Sequence, residues 1–311
     1  MTQIALDIGY GDVKVSTGKT CFKFTNGISF AGNTTVDYAQ NALEIYTFND
    51  IEYLVGEQAL LNNPFITRDY SYLYEYAPLL VYKALKLAKI KPSSNIEIVT
   101  GLSLKDWHKA EEFGERLSNI YVNKEHYNIA PENIKIVPQG KGIYIDHKSE
   151  KNNCITEDFF AIVDIGYNTF DFLMFLNGKP IPNKNYANTL GVNQLVIEIQ
   201  KYLNKNFNAN FSEQETKEIL LKKAVRIGAK NHDLSAVIDK EILKYSKLLQ
   251  NEIVAKNGDL INKVYNVIIS GGGAYLLEQI NAKLFDHQIY SKAPYEFSNV
   301  RGYFEEFINN G

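Results

Sequence analysis

The pattern Asp-Ile-Gly-Tyr occurs twice, once in each half of the chain, as Asp7-Ile8-Gly9-Tyr10 and as Asp164-Ile165-Gly166-Tyr167. Each copy follows a short apolar run, Ile4-Ala5-Leu6 or Ala161-Ile162-Val163. Each precedes a second strand-like run that ends at a glycine turn, Thr17-Gly18 or Asn177-Gly178. A buried strand delivers the acid to the edge of a sheet, and a glycine at positive φ lets the backbone bend and approach a ligand closely. Successive exposed N–H groups at such a bend make an anion-binding concavity. A carboxylate beside phosphate repels it unless a divalent cation intervenes, and two carboxylates can hold hydrated Mg2+ through its waters. The duplication therefore implies two related halves sharing one metal-bound polyphosphate.

Charge narrows the partners. The 311 residues carry 33 Lys+Arg against 36 Asp+Glu, so no basic excess favours direct, non-specific nucleic-acid binding. Lys222-Lys223 with Arg226 is a local basic patch, read as the solvated face of a helix. With 45% hydrophobic and 22% charged residues the chain can bury one large core or two moderate ones. Cys21 and Cys154 form neither a disulfide framework nor a metal-ligand spacing, which suits a reducing compartment. The N-terminus lacks the charged and apolar regions of a leader, and no apolar run reaches membrane-spanning length. A soluble cytoplasmic protein, without direct contact to membrane, is expected.

Along the chain, Ile4–Asp7, Val13–Ser16 and Cys21–Thr25 read as hairpin-linked strands. Residues of about 27–68 are polar and irregular, with strands at Leu43–Phe48 and Ile51–Val55, and look like a small inserted subdomain. A helix is predicted at about 72–90, with Leu80, Ala84, Leu87 and Ala88 on one face and Pro92 stopping it. Ile96–Thr100 is a buried strand, Lys105–Asn119 a helix and Ile134–Val137 a strand. The polar stretch Asp146–Asp158 reads as a linker, dividing a domain of 1–150 from one of 151–311. The second half restarts with Phe159–Val163 and the strands Thr169–Leu176 and Lys179–Tyr186. A helical insert of about 192–256 then carries Val192, Leu195, Val196, Ile199 and Leu203 at helical spacing, with further helices at about 212–228 and 235–256. Val267–Ser270 is a strand, after which Gly271-Gly272-Gly273 opens a helix. The fold class is α/β.

Four groups of residues can carry chemistry. Seven residues beyond each repeated acid stands Lys14 in the first copy and Asp171 in the second. Lys14 can pair with phosphate oxygens as a point charge, whereas Asp171 either orients water or backbone or merely stabilises its own hairpin. Asn168 and Thr169 either bind a terminal phosphate or only shape their turn. Gly271, Gly272 and Gly273 stand at a strand-to-helix switch, where glycine lets a ligand lie against backbone beside a helix N-terminus, although flexible turns also collect glycine. Their spacing is not that of the dinucleotide fingerprint. Gln139 follows the strand Ile134–Val137. A neutral amide there either holds a water in line with a phosphate without taking its proton or is an ordinary loop residue.

In order, these segments resemble the motifs of the actin-like ATPase superfamily. Leu6-Asp7-Ile8-Gly9-Tyr10-Gly11-Asp12-Val13-Lys14 resembles its first phosphate motif and Ile136-Val137-Pro138-Gln139-Gly140-Lys141-Gly142 its first connecting segment. Val163-Asp164-Ile165-Gly166-Tyr167-Asn168-Thr169-Phe170-Asp171 resembles the second phosphate motif, and Ile269-Ser270-Gly271-Gly272-Gly273-Ala274 the adenosine motif. Within the superfamily the chain is most similar to the plasmid-segregating ParM/StbA group and the short archaeal actin-like proteins. Val55-Gly56-Glu57-Gln58-Ala59, Val99-Thr100-Gly101-Leu102-Ser103-Leu104 and Ser298-Asn299-Val300-Arg301-Gly302-Tyr303 support this. Ser298 stands where that group usually has Ala, and Gln139 where plasmid-type members often have Glu and actin has Gln.

The resemblance implies an actin-like fold of two related domains with ribonuclease H-like cores around a nucleotide cleft, with small inserted subdomains. It implies ATP or ADP with Mg2+ as cofactors. Asp7 and Asp164 would hold the hydrated ion, and Gly9, Tyr10, Gly11 and Lys14 would face Gly166, Asn168 and Thr169 across the phosphates. Gly271, Gly272 and Gly273 would lie along the adenosine. Lys217 and Glu218, on the helix of about 212–223, either reach sugar and base or form a wet surface. Catalysis would rest on Gln139, Asp7, Asp164 and Asp171, with slow turnover because Gln139 is no strong base. The expected function is a nucleotide-dependent filament, segregating plasmid DNA through an adaptor protein. The alternatives are a small-molecule kinase of the same superfamily, a chaperone-like or scaffold member, and a non-polymerising regulatory ATPase.

Overall fold

A computed structural model describes residues 1–32, 43–65, 69–150, 159–181 and 183–309. The chain divides into two units, Met1–Asn153 together with Glu296–Gly311, and Cys154–Tyr295. The C-terminal segment, assigned by the sequence to the second half, thus belongs with the first unit.

The first unit begins with strands Thr2–Ile8 (β1), Asp12–Ser16 (β2) and Cys21–Thr25 (β3). A small three-stranded sheet follows, Ile28–Phe30 (β4), Ile45–Phe48 (β5) and Ile51–Val55 (β6), with a one-turn helix Glu57–Leu60 (α1). The insert expected over 27–68 thus carries both expected strands, the first starting at Ile45 rather than Leu43, and β4 besides; residues 33–42 and 66–68 of it lie outside the described residues. Next come Tyr70–Leu87 (α2), Ile96–Leu102 (β7), Ala110–Ser118 (α3), the hairpin Asn119–Val122 (β8) and Glu125–Asn128 (β9), Ile134–Pro138 (β10) and Lys141–Glu150 (α4). The last of these occupies the start of the expected linker; residues 151–158 lie outside the described residues.

The main sheet runs β10-β7-β1-β2-β3, parallel through β10, β7 and β1 and antiparallel through β1, β2 and β3. Side chains alternate across a strand, and β1 shows it: Ile4, Leu6 and Ile8 join the core beneath α2, while Ala5 joins Val99, Val137, Val300 and Tyr303 beneath the C-terminal helix Ser298–Asn309. Asp7 shares the face of Ala5. That helix seats on α4 glycine to glycine, since a Cβ at Gly302 would strike the Gly142 carbonyl oxygen and lie 2.5 Å from its carbon.

The helix α2 departs from expectation at its end. It ends at Leu87, five residues short of Pro92, because Lys89 turns left-handed (φ 57°), and Leu87 itself is exposed. It also contains Pro78, which lacks an N–H and strands the carbonyl four residues earlier. Arg116 of α3 repairs this, donating from Nε to the Tyr74 carbonyl at 3.2 Å and from Nη2 to the Glu75 carbonyl at 3.2 Å.

The second unit repeats the design. Phe159–Ile165 (β11), Phe170–Leu176 (β12) and Lys179–Pro180 (β13) are antiparallel neighbours, and Tyr186–Asn188 (β14) also pairs with β12. Helices Asn193–Phe207 (α5) and Glu213–Lys222 (α6) follow. The expected helix of about 212–228 stops at Lys222 because Lys223 is left-handed (φ 52°), and a hairpin, Ala224–Ile227 (β15) with Lys230–Asp233 (β16), takes its place. Ser235–Asn257 (α7), Val267–Ser270 (β17), Ala274–Gln279 (α8) and Gln288–Tyr290 (β18) complete the unit. Its sheet runs β13-β12-β11-β17-β18 with β11, β17 and β18 parallel. Both sheets therefore share one strand order and one set of directions, and in both the repeated Asp stands near the end of the central strand.

Candidate functional site: two acidic bends and a glycine turn

In the first unit β1 turns into β2 over Gly9–Asp12, with the Gly9 N–H donating to the Asp12 carbonyl at 3.1 Å. The strand register sets Asp7 opposite Lys14. The buried Asp7 carboxylate is engaged on both oxygens: Lys14 Nζ lies 3.4 Å from Oδ2, and Gln139 Nε2 donates to Oδ1 at 2.9 Å. Gln139 reaches it from the end of β10, anchored where its N–H donates to the Leu102 carbonyl at 2.8 Å. A carboxylate only accepts hydrogen bonds, so it draws the amide nitrogen of Gln139 and leaves Oε1 aimed elsewhere. The following residue is held from the C-terminal helix, with Gly140 N–H donating to Asn299 Oδ1 at 2.9 Å.

The second unit makes the same bend. Gly166 N–H donates to the Thr169 carbonyl at 2.9 Å, and Asp164 stands opposite Asp171, both buried. The bend is tied to the start of α5: Val192 N–H donates to the Gly166 carbonyl at 3.1 Å and Asn193 N–H to the Tyr167 carbonyl at 2.9 Å. Asn193 Nδ2 adds a bond to Asn168 Oδ1 at 3.1 Å. Gly191 permits the approach, because a Cβ there would lie 2.5 Å from the Asn168 carbonyl carbon.

Positive φ is not what the bend glycines supply. Gly9, Gly11 and Gly166 keep φ outside the left-handed region, and Gly9 and Gly166 matter for space, with Cβ positions 3.1 Å from the Asp12 carbonyl oxygen and 3.2 Å from that of Thr169. Positive φ appears instead at Gly271 (φ +83°), where a Cβ would strike Asp164 Oδ1 and lie 2.5 Å from the Ile165 carbonyl oxygen. Gly273 closes the turn with its N–H on that same carbonyl at 2.9 Å. Gly272 is exposed, with nothing within 4 Å of its Cβ position. The three glycines thus wrap the edge of the Asp164 bend and leave one residue open.

Lys217 and Glu218 separate. Lys217, half-buried, places Nζ 3.7 Å from the centre of the Tyr167 ring and pairs with Glu213 at 3.1 Å. Glu218 is exposed and accepts from Lys222 at 2.9 Å. The structure therefore gathers Asp7, Gly9, Lys14 and Gln139 in one unit, and Asp164, Gly166, Asn168, Thr169, Gly271 and Lys217 in the other. Glu218 does not join that group. Asn26, Gly191 and Asn193 support the bends from outside the quoted motifs, whereas Asn299 does so from within Ser298-Asn299-Val300-Arg301-Gly302-Tyr303.

Residues 5–142 match the family described as Actin like proteins N terminal domain, and residues 162–281 match Archaeal actin homologue MreB-like, C-terminal. No curated protein matches the chain. Among solved structures it is similar to the subunit of a 15-stranded ParM filament from Clostridium botulinum, with 22% identity, TM-score 0.82 and 99% of each chain covered. It is also similar to the archaeal actin homologue Ta0583 in complex with ADP, at 17% identity and TM-score 0.81 over 99% of this chain and all of that one. An Alp12 filament structure gives 19% identity and TM-score 0.67 over 100% and 99%. Sheet order and structural likeness define the actin-like fold. The chain belongs to the actin-like protein family.

Proposed function

We propose that this protein binds Mg-ATP, hydrolyses it slowly and assembles into nucleotide-dependent filaments. The observation that carries the reading is the repeated bend, in which one buried carboxylate ends the central strand of each of two like sheets. Among the described residues no cluster of three or more His, Cys, Asp or Glu forms a direct cation cage. One carboxylate from each bend suits an ion that keeps its waters. Asp7 and Asp164 would hold that ion, whose charge would neutralise the polyphosphate.

The chain's own residues do the rest. Lys14 offsets the charge of Asp7, and its ammonium, a point charge on a flexible stem, can turn to a phosphate oxygen. The backbone of Gly9, Tyr10 and Gly11, and of Gly166, Asn168 and Thr169, would contact phosphates, with Gly271, Gly272 and Gly273 along the adenosine and Lys217 near the sugar. Gln139, its nitrogen engaged by Asp7, offers Oε1 to a water; an amide accepts that hydrogen bond but does not take the proton, so turnover is slow. Asp171 would orient the second bend.

Filament assembly is supported by the relatives described as filaments. An adaptor would connect the polymer to plasmid DNA in the cytoplasm, since the balanced charge does not favour direct binding. Among the described residues no helix is long and apolar enough to cross a membrane. Calorimetry with ATP, with and without Mg2+, tests the site: Mg-dependent binding lost in Asp7→Ala and Asp164→Ala is expected, and unchanged binding in both overturns the reading. Electron microscopy with ATP, ADP and no nucleotide tests the polymer. Hydrolysis that needs a small co-substrate would make the protein a kinase instead.

A further inference from the structure

Two carbonyls of the first bend converge on one buried residue outside every motif. Asn26 is 1% exposed. Its Nδ2 donates to the Gly9 carbonyl at 2.8 Å and its backbone N–H to the Gly11 carbonyl at 3.0 Å. Its own Oδ1 accepts from the Tyr72 hydroxyl at 3.0 Å. Tyr72 sits in the first turn of α2, where its N–H is capped by Asp69 Oδ1 at 3.0 Å. A helix start, a tyrosine and an asparagine therefore form a continuous strut beneath the bend.

In a trans peptide the C=O and the next N–H point in opposite directions. With the Gly9 and Gly11 carbonyls both turned to Asn26, the N–H groups of Tyr10 and Asp12 point to the opposite side. The second bend treats its equivalent carbonyl alike by another means, since Gly166 C=O is taken by Val192 N–H. Two unrelated donors hold the same carbonyl inward.

We infer that Asn26, braced by Tyr72, is a positioning residue that turns the amides of the first bend toward the nucleotide phosphates. This rests on the nucleotide reading of that bend. Such preorganisation adds affinity without any contact to the ligand.

The test is calorimetric titration of Mg-ATP into the full chain and three variants. Asn26→Ala removes the side-chain bond that holds the Gly9 carbonyl and leaves the backbone bond to Gly11, and Tyr72→Phe removes only the brace. Tyr127→Phe is the matched control in the same unit, losing a buried hydroxyl that donates to the Ile90 carbonyl at 2.8 Å. Affinity is expected to fall about ten- to a hundredfold in Asn26→Ala and about threefold in Tyr72→Phe, with Tyr127→Phe unchanged. If Asn26→Ala does not fold, Tyr72→Phe against Tyr127→Phe decides by itself. Unchanged affinity in the strut variants, or an equal fall in the control, overturns the inference. A wild-type chain that binds no Mg-ATP is a different result and overturns the nucleotide reading instead.

Discussion

Lys14 stands directly opposite Asp7 across the first hairpin, whereas the same place in the second hairpin holds Asp171 opposite Asp164. One bend is therefore charge-compensated from its own return strand and the other is not. Lys14→Met should weaken Mg-nucleotide binding by about 1.5–3 kcal/mol, the range for a charged hydrogen bond. Titration calorimetry checks this, and affinity within twofold of wild type would remove Lys14 from the site.

Gln139→Ala should slow hydrolysis while leaving Mg-ATP affinity close to that of the parent, because the residue touches Asp7 but offers only one oxygen toward a water. Steady-state phosphate release against calorimetric affinity separates the two. Unchanged hydrolysis would take Gln139 out of the mechanism.

Neighbouring glycines should behave differently. Gly271→Ala places a methyl against Asp164 at φ +83° and should destabilise the second unit by about 1–3 kcal/mol or more. Gly272→Ala meets open space, so stability should stay within about 0.5 kcal/mol while nucleotide affinity falls. Chemical denaturation and titration together distinguish the pair; equal stabilities would remove the steric role of Gly271.

Arg116→Ala should cost about 1–3 kcal/mol, the penalty of leaving carbonyls of α2 unsatisfied. In a Pro78→Ala background residue 78 regains an N–H for Tyr74, so the same change should cost less. A double-mutant cycle with no coupling would refute this account of the interrupted helix.

Acid sensitivity should have a local source at Glu125. The Tyr82 hydroxyl at 2.9 Å, and Lys86 at 3.2 Å, hold its carboxyl below the usual carboxylate range. A depressed acid contributes stability that is present above its unfolded value, about 4.3, and lost as pH falls through the folded value. Melting temperatures from pH 7 to 3 should show Glu125→Gln less stable than wild type at neutral pH, with the gap closing below about pH 4. A constant gap would contradict it.

Much of the scaffold was legible because its central strands are continuous apolar runs: Ile4–Asp7, Phe159–Val163 and Val267–Ser270 all lie within observed strands. The bends were legible because acid and glycine follow those runs twice. The hairpin at Asn123-Lys124 was not, although both residues are left-handed (φ 53° and 62°) like Asn49-Asp50 (φ 51° and 62°), because lysine gives no turn signal. The helix across Pro78 was legible from its apolar spacing, but Arg116, which satisfies the carbonyls there, stands far along the chain and was not. Asn26 and Gly191 act through partners remote in sequence, so no local pattern marks them; Asn299 lies in a quoted motif, but its bond to Gly140, far earlier in the chain, is not written there.

The seating of Gly302 on Gly142 also sets an order of events during synthesis. Val99 and Val137 emerge from the ribosome early, but Val300 and Tyr303, which complete their layer, emerge only after the whole second unit has been made. Until then the apolar layer of Ala5, Val99 and Val137 lacks its cover, and exposed apolar surface of that kind on a nascent chain is prone to aggregate.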